Sequence, residues 1–181
     1  MISKKLQIMT KEMENAISSG NAILVLELVN RGASINSYDS DSGSSLLMWT
    51  CAWGLTPLTD FLIKQGADFQ NHRSIEGANA LMYASFYGRI DIVILLLENG
   101  ANVNLKDISG CTAMDKAVLT ENWKILKLLI NSGGRYESLV PVDIDWDRVV
   151  PLDPEIQDRN SSIEQWLLSW ENYYSNRSEH P

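Results

Sequence analysis

Three aspartates at alternate positions, Asp143, Asp145 and Asp147, present the spacing with which a calcium loop offers carboxylates to its ion. Such a loop also needs glycine at its sixth position for a sharp turn and a bidentate glutamate at its twelfth. Those positions hold Arg148 and Pro154, so the three carboxylates are expected to be solvated or to face a partner. The two histidines, His72 and His180, lie far apart in the chain, and the cysteines, Cys51 and Cys111, are isolated. Neither cysteine has zinc or redox spacing or a base assigned by motif, which fits free thiols in a reducing compartment. No phosphate loop, dinucleotide fingerprint or serine elbow occurs. No metal, no cofactor and no catalysis are expected, and chemistry gives way to recognition.

Recognition points to aromatic side chains. The stretch LMYASFYG, from Leu81 to Gly88, reads as a short helix closed by glycine, yet it carries Tyr83, Phe86 and Tyr87. Trp49 and Trp53 stand in a similar stretch upstream. Each of the pairs Trp49/Trp53 and Tyr83/Tyr87 is spaced by four, which puts its members on one helix face.

Composition limits what such a face can serve. The 181 residues are 45% hydrophobic and 21% charged, ordinary for a globular domain with an appendage. The longest apolar run, Ile92 to Leu97, is far short of the roughly 18 residues of a membrane span, and no apolar stretch follows Lys4 and Lys5 as in a secretory signal. A cytoplasmic protein without membrane contact is expected. The net charge of −8 is uneven: residues 1–136 carry 13 acidic and 12 basic side chains, residues 137–181 carry 10 and 3. Neither part has the basic footprint that nucleic acid demands, whereas a basic protein would complement the acidic tail.

The aromatic stretches belong to a repeat. GANALMYASFYGRIDIVILLLENGANVN from Gly77 recurs as GCTAMDKAVLTENWKILKLLINSGGRY from Gly110, and as GSSLLMWTCAWGLTPLTDFLIKQGADFQ from Gly43. A less complete copy is AISSGNAILVLELVNRGASIN, with Ala16 and Gly20 in phase with Thr50 and Gly54. Each unit opens with a residue whose side chain can cap a helix: Ser45, Asn79 or Thr112. A first helix of two turns ends at Gly20, Gly54 or Gly88. A second, largely apolar helix ends at Gly32, Gly66, Gly100 or Gly133. Glu121 stands where the last unit lacks the first of these glycines, and a looser turn is expected there. One helix pair cannot bury its own apolar surface, so the units must stack.

These residues resemble the ankyrin repeat, a resemblance covering roughly the first 135 positions. It is carried by the capping Ser45, Asn79 and Thr112, by Leu47, Leu81 and Met114, by Ala84 and Ala117, and by the Gly-Ala pairs at Gly32, Gly66 and Gly100. Leu46, Ala80 and Ala113 replace the family's usual proline, and Met48, Met82 and Asp115 its usual histidine, departures that bear on inter-repeat hydrogen bonding rather than on the fold. The resemblance implies an all-α solenoid of stacked helix-turn-helix units, about 3–36, 37–70, 71–104 and 105–135, with a C-terminal capping extension over 136–181. It implies that the first helices line a concave side. Trp49, Trp53, Tyr83 and Tyr87 would then face a groove with polar ends, Asn15 and Ser19 at one and Lys116 and Thr120 at the other, the anatomy of a binding hot spot. The alternative is burial of these aromatics, with Phe86 tucked on a neighbouring repeat or Trp49 and Tyr83 covered by the chain's own C-terminal tail.

In the extension, prolines exclude a long helix from residues 136–160, after which SSIEQWLLSWENYY opens with the capping box Ser161/Glu164. It sets Ile163, Trp166, Leu167 and Trp170 on one face, over about 162–174. This amphipathic helix either closes the last repeat or docks on a partner. The expected function is a protein-binding module, monomeric when free, that masks a basic partner with Trp49, Trp53, Tyr83, Phe86, Tyr87, Lys116, Asp143, Asp145 and Asp147. Its form would be an inhibitor or immunity protein, and a scaffold that tethers without inhibiting is the other class.

Overall fold

The computed structural model describes residues 8–71 and 74–135. The chain divides into two units, Met1–Ile144 and Asp145–Pro181, and all the described residues belong to the first. Eight helices lie among them: α1 (Lys11–Ser18), α2 (Ala22–Asn30), α3 (Leu46–Trp53), α4 (Thr56–Lys64), α5 (Ala80–Phe86), α6 (Ile90–Glu98), α7 (Ala113–Leu119) and α8 (Trp123–Asn131). No strand occurs among the described residues; two isolated bridges tie Tyr38 to Ile8 and to Ser45. The extension, with its expected closing helix and Asp143, Asp145 and Asp147, lies outside the described residues, as does His72.

The first helix of each unit starts where a side-chain oxygen receives a free backbone N–H. Thr10 accepts from Met13, Ser45 from Met48, Asn79 from Met82 and Thr112 from Asp115. Each such cap contributes about 1 kcal/mol. Two residues at the position of the missing histidines complete capping boxes: Met48 Sδ accepts from the Ser45 N–H at 3.4 Å, and Asp115 Oδ2 from the Thr112 N–H at 2.7 Å.

Helix ends follow one scheme throughout. Gly32 N–H donates to Val29 and Ala33 N–H to Leu28, and the same pair of bonds recurs at Gly66/Ala67, Gly100/Ala101 and Gly133/Gly134. This is a Schellman closure, which requires a left-handed residue. The first helices close alike, at Gly20, Gly54 and Gly88. The expected loosening at Glu121 does not occur. Its N–H still donates to Val118 and that of Asn122 to Ala117, at 3.0 and 2.8 Å. Glu121 adopts φ 55°, the only left-handed non-glycine residue among those described. Packing of α7 against α8 holds the closure, and the cost falls on the backbone as roughly 1–2 kcal/mol of strain.

Burial follows the repeat. Leu47, Leu81 and Met114 on the first helices, and Leu62, Leu96 and Leu129 on the second, are all at most 1% exposed and form a continuous layer from unit to unit. Ala84 and Ala117, both fully buried, leave room for α5 and α7 to approach closely. The first helices α3, α5 and α7 pack more closely on each other than the second helices α4, α6 and α8 do.

Adjacent units are also stitched by loop amides spaced by 34. Asn36 Oδ1 accepts the Asp68 N–H at 3.0 Å, Gln70 Oε1 the Asn102 N–H at 3.1 Å, and Asn104 Oδ1 the Arg135 N–H at 2.8 Å. In return Gln70 Nε2 donates to Gly100 O and Asn104 Nδ2 to Gly133 O. Inter-repeat hydrogen bonding is shared between these amides, Arg89, whose Nε donates to Ala52 O at 2.9 Å, and the loop backbone, where Ile75 N–H donates to Ser42 O and Ile108 N–H to Glu76 O.

Candidate protein-binding face

The first-helix side of the stack includes α3, α5 and α7 with the loops that precede them. On α3 and α5 the residues four apart do lie on one side, but they differ in how far they reach solvent. Trp53, Phe86 and Tyr87 are 48%, 43% and 46% exposed, whereas Trp49, Tyr83 and Lys116 are partly covered.

The covered residues are held by specific bonds. Trp49 Nε1 donates to Asp39 Oδ2 at 3.0 Å, and the Tyr83 hydroxyl shares a 2.5 Å hydrogen bond with Ser44 Oγ. Lys116, which occupies the slot of Tyr83 one unit on, reaches Asp107 at 2.7 Å, with 18% of its own side chain and 2% of the aspartate's exposed. Asp39 and Asp107 hold corresponding places in their loops, each just before the turn that leads into a capped helix. Their role is structural as well as electrostatic. Asp39 accepts the N–H groups of Asp41, Ser42 and Ser44, the Ser42 hydroxyl and the Trp49 indole. Asp107 accepts from the N–H groups of Ser109 and Cys111.

The electrostatics follow from these partners. Burial pushes the Asp39 carboxyl up, but bonds from Ser42, Trp49 and Asp41 outweigh it and hold the group below the usual carboxylate range. Asp107 behaves likewise: burial is outweighed by Lys116 and by the N–H groups of Cys111 and Ser109. The Lys116 ammonium, pushed down by burial, is raised overall by Asp107. Burial raises the Tyr83 hydroxyl, with Ser44 opposing. Cys51, fully buried, and Cys111, raised by burial and by Asp107, are both held towards the inert thiol. No group of three His, Cys, Asp or Glu side chains placed to hold a metal occurs among the described residues.

Ring contacts link the aromatics across two units. Trp49 meets Tyr83 edge-on at 6.4 Å between centroids, Tyr83 lies 6.3 Å from Tyr87, and Phe86 stands edge-on to Tyr87 at 5.2 Å. Such pairs contribute about 0.5–1.5 kcal/mol each beyond burial and fix ring orientation. Phe86 is thus neither tucked under a neighbouring repeat nor isolated; it extends the exposed patch. Leu119, 55% exposed, holds its equivalent position in the last unit. The sequence reading missed Leu119, Asp39 and Asp107. The signal was present in the repeat phase: Leu119 follows Phe86 by 33 residues, and the two aspartates precede their caps by five or six.

A stack of capped helix pairs that shows an aromatic patch on its first-helix side is a repeat solenoid, built to present surface. Comparison with family models agrees: a model for three copies of the ankyrin repeat matches residues 13–107, and one for many copies matches 95–130. The chain belongs to the ankyrin repeat family and is a protein–protein interaction module of that kind. No curated protein matched it. No described helix is long and apolar enough to cross a membrane.

Proposed function

We propose that this chain is a non-enzymatic, cytoplasmic binding module, monomeric when free, that occupies a basic protein and blocks its activity as an inhibitor or immunity protein does. The observation that carries this reading is the patch of Trp53, Phe86 and Tyr87. Three large rigid side chains stand 43–48% exposed on adjacent units, two of them in ring contact with each other. Exposed aromatics with fixed orientation lose little entropy on binding and dominate interfaces of this kind. Trp49, Tyr83 and Lys116 serve as the bracing layer behind them. Charge supports a basic partner: Asp143, Asp145 and Asp147 belong to a segment with 10 acidic and 3 basic residues, suited to steering association.

The test begins with the partner recovered from native lysate. Trp53→Ala and Tyr87→Ala should each weaken its binding by about 2 kcal/mol or more, with less effect on folding than Leu96→Ala, for which about 2–5 kcal/mol is expected. Equal damage to folding from both classes would make the aromatics structural. Changing Asp143, Asp145 and Asp147 together to Asn should slow association at low salt, and an acidic partner would sink the charge-matching claim. A partner that stays active when saturated would leave the tethering role alone.

A further inference from the structure

At the first-unit end of the first-helix side, α1, α3 and the loop from Asp39 to Ser42 surround a depression of about 400 Å³. Trp49 and Trp53 line it together with Met9 and Ile17, so its apolar wall is chiefly indole. Three carboxylates, Glu14, Asp39 and Asp41, border it against one ammonium, Lys11. That ammonium pairs with Glu14 at 3.0 Å and is 83% exposed, the kind of surface pair that exchanges at little cost. Asp39 has both oxygens occupied by five donors, so it contributes fixed negative charge rather than a free acceptor. Asp41 is exposed and accepts from Ser40 at 3.1 Å, which leaves its carboxylate within reach of an incoming donor.

Indole walls with a carboxylate border select a cation, and the shape of the cation matters. A guanidinium is flat, weakly hydrated and forked, so it stacks on an indole while its edge donates to carboxylates; an ammonium is a strongly hydrated point charge that gains less from the same walls. The acidic segment 137–181 is mismatched to this border by its own charge. We propose that the depression receives an arginine side chain of the protein partner, with Trp53 stacking on it and Asp41 and Glu14 accepting its N–H groups. This rests on the reading above that the partner is a basic protein, and it names the side chain by which that partner is held at this end of the face.

The test needs no partner. The indole N–H resonances of Trp49 and Trp53 in the full chain are followed by NMR while blocked Gly-Arg-Gly, Gly-Lys-Gly and Gly-citrulline-Gly tripeptides are added, citrulline being the neutral isostere of arginine. The arginine peptide should shift both resonances saturably, about fivefold more tightly than the lysine peptide, and the citrulline peptide should leave them in place. Asp41→Asn with Glu14→Gln, both side chains reaching solvent, should weaken the arginine peptide at least about fivefold without altering the circular dichroism spectrum. Unmoved resonances, equal response to citrulline, equal affinity for lysine, or indifference to the double change would each overturn the arginine slot. Failure here with partner binding still sensitive to Tyr87→Ala would leave the aromatic face standing. A working slot with partner binding indifferent to Tyr87→Ala would reject the face and retain the slot.

Discussion

Changing Glu121 to glycine should stabilise this protein, although it removes a side chain and adds no contact. Glu121 sits at φ 55° in the Schellman closure of α7, where the other three units place glycine. A residue with a Cβ pays roughly 1–2 kcal/mol for that conformation. Glycine returns roughly 0.5–1 kcal/mol of this through its greater freedom in the unfolded chain. The net gain is about 0.5–1 kcal/mol, or a rise in Tm of roughly 1–4 °C for a chain of this size. The reciprocal change is Gly88→Ala one unit earlier. There φ is 69° and an added Cβ would lie 3.0 Å from Asn122 Oδ1, in an amide that also bonds Thr120 Oγ1 at 2.6 Å. Backbone and neighbour then both resist, and a loss of about 1–3 kcal/mol is expected. Urea unfolding of both variants and the parent, followed by far-UV circular dichroism with comparable m-values, measures the two differences. A neutral or destabilising Glu121→Gly, together with a tolerated Gly88→Ala, would show that the closure stores no strain.

Three further outcomes follow from bonds at the face and between units. Gln70→Ala breaks both hydrogen bonds that join its loop to the next, at 3.1 and 2.7 Å, and should cost about 1–2 kcal/mol, with faster hydrogen exchange at the Asn102 amide as the local readout. Asp107→Asn strips the partner from a mostly covered ammonium and should cost about 2–4 kcal/mol at neutral pH. Because Asp107 titrates below the ordinary aspartate value near 3.8, its contribution is present above that value and lost as pH falls through the folded one. Lys116, raised above 10.5, contributes below that value and loses its share as pH rises through its folded one. The gap between parent and variant should thus stay level around neutrality and close only at acidic and strongly alkaline extremes, as chemical denaturation across pH would show. Trp49→Phe, which loses an indole N–H bonded to a carboxylate, should destabilise by about 1.5–3 kcal/mol, while Trp53→Phe should stay within about 0.5 kcal/mol.

Local determinants of this fold are legible in the chain because they act over a few residues. Ser45, Asn79 and Thr112 cap the helices that follow them, and the glycines take the left-handed conformation their positions imply. Glu121 shows where local reasoning stops: a closure imposed by two packed helices overrides the preference of the residue inside it. The aromatic column divides for a similar reason. Periodicity places Trp49 with Trp53 and Tyr83 with Tyr87, but whether a side chain meets solvent depends on loops elsewhere: Asp39, ten residues before Trp49, and Ser44, in the preceding unit from Tyr83. Asn36, Gln70 and Asn104 recur at a plain interval, yet their bonds span to the neighbouring unit and acquire meaning only once the units are stacked.

Those loop amides bear on how such a chain can change in length. Each accepts a backbone N–H about 32 residues onward, and this acceptance recurs at every junction from Asn36 to Arg135. A duplicated segment of one period would arrive carrying both a donor for the amide before it and an amide for the donor after it. Gene duplication by whole periods therefore preserves every amide seam, whereas gain or loss of a fraction of a period breaks one.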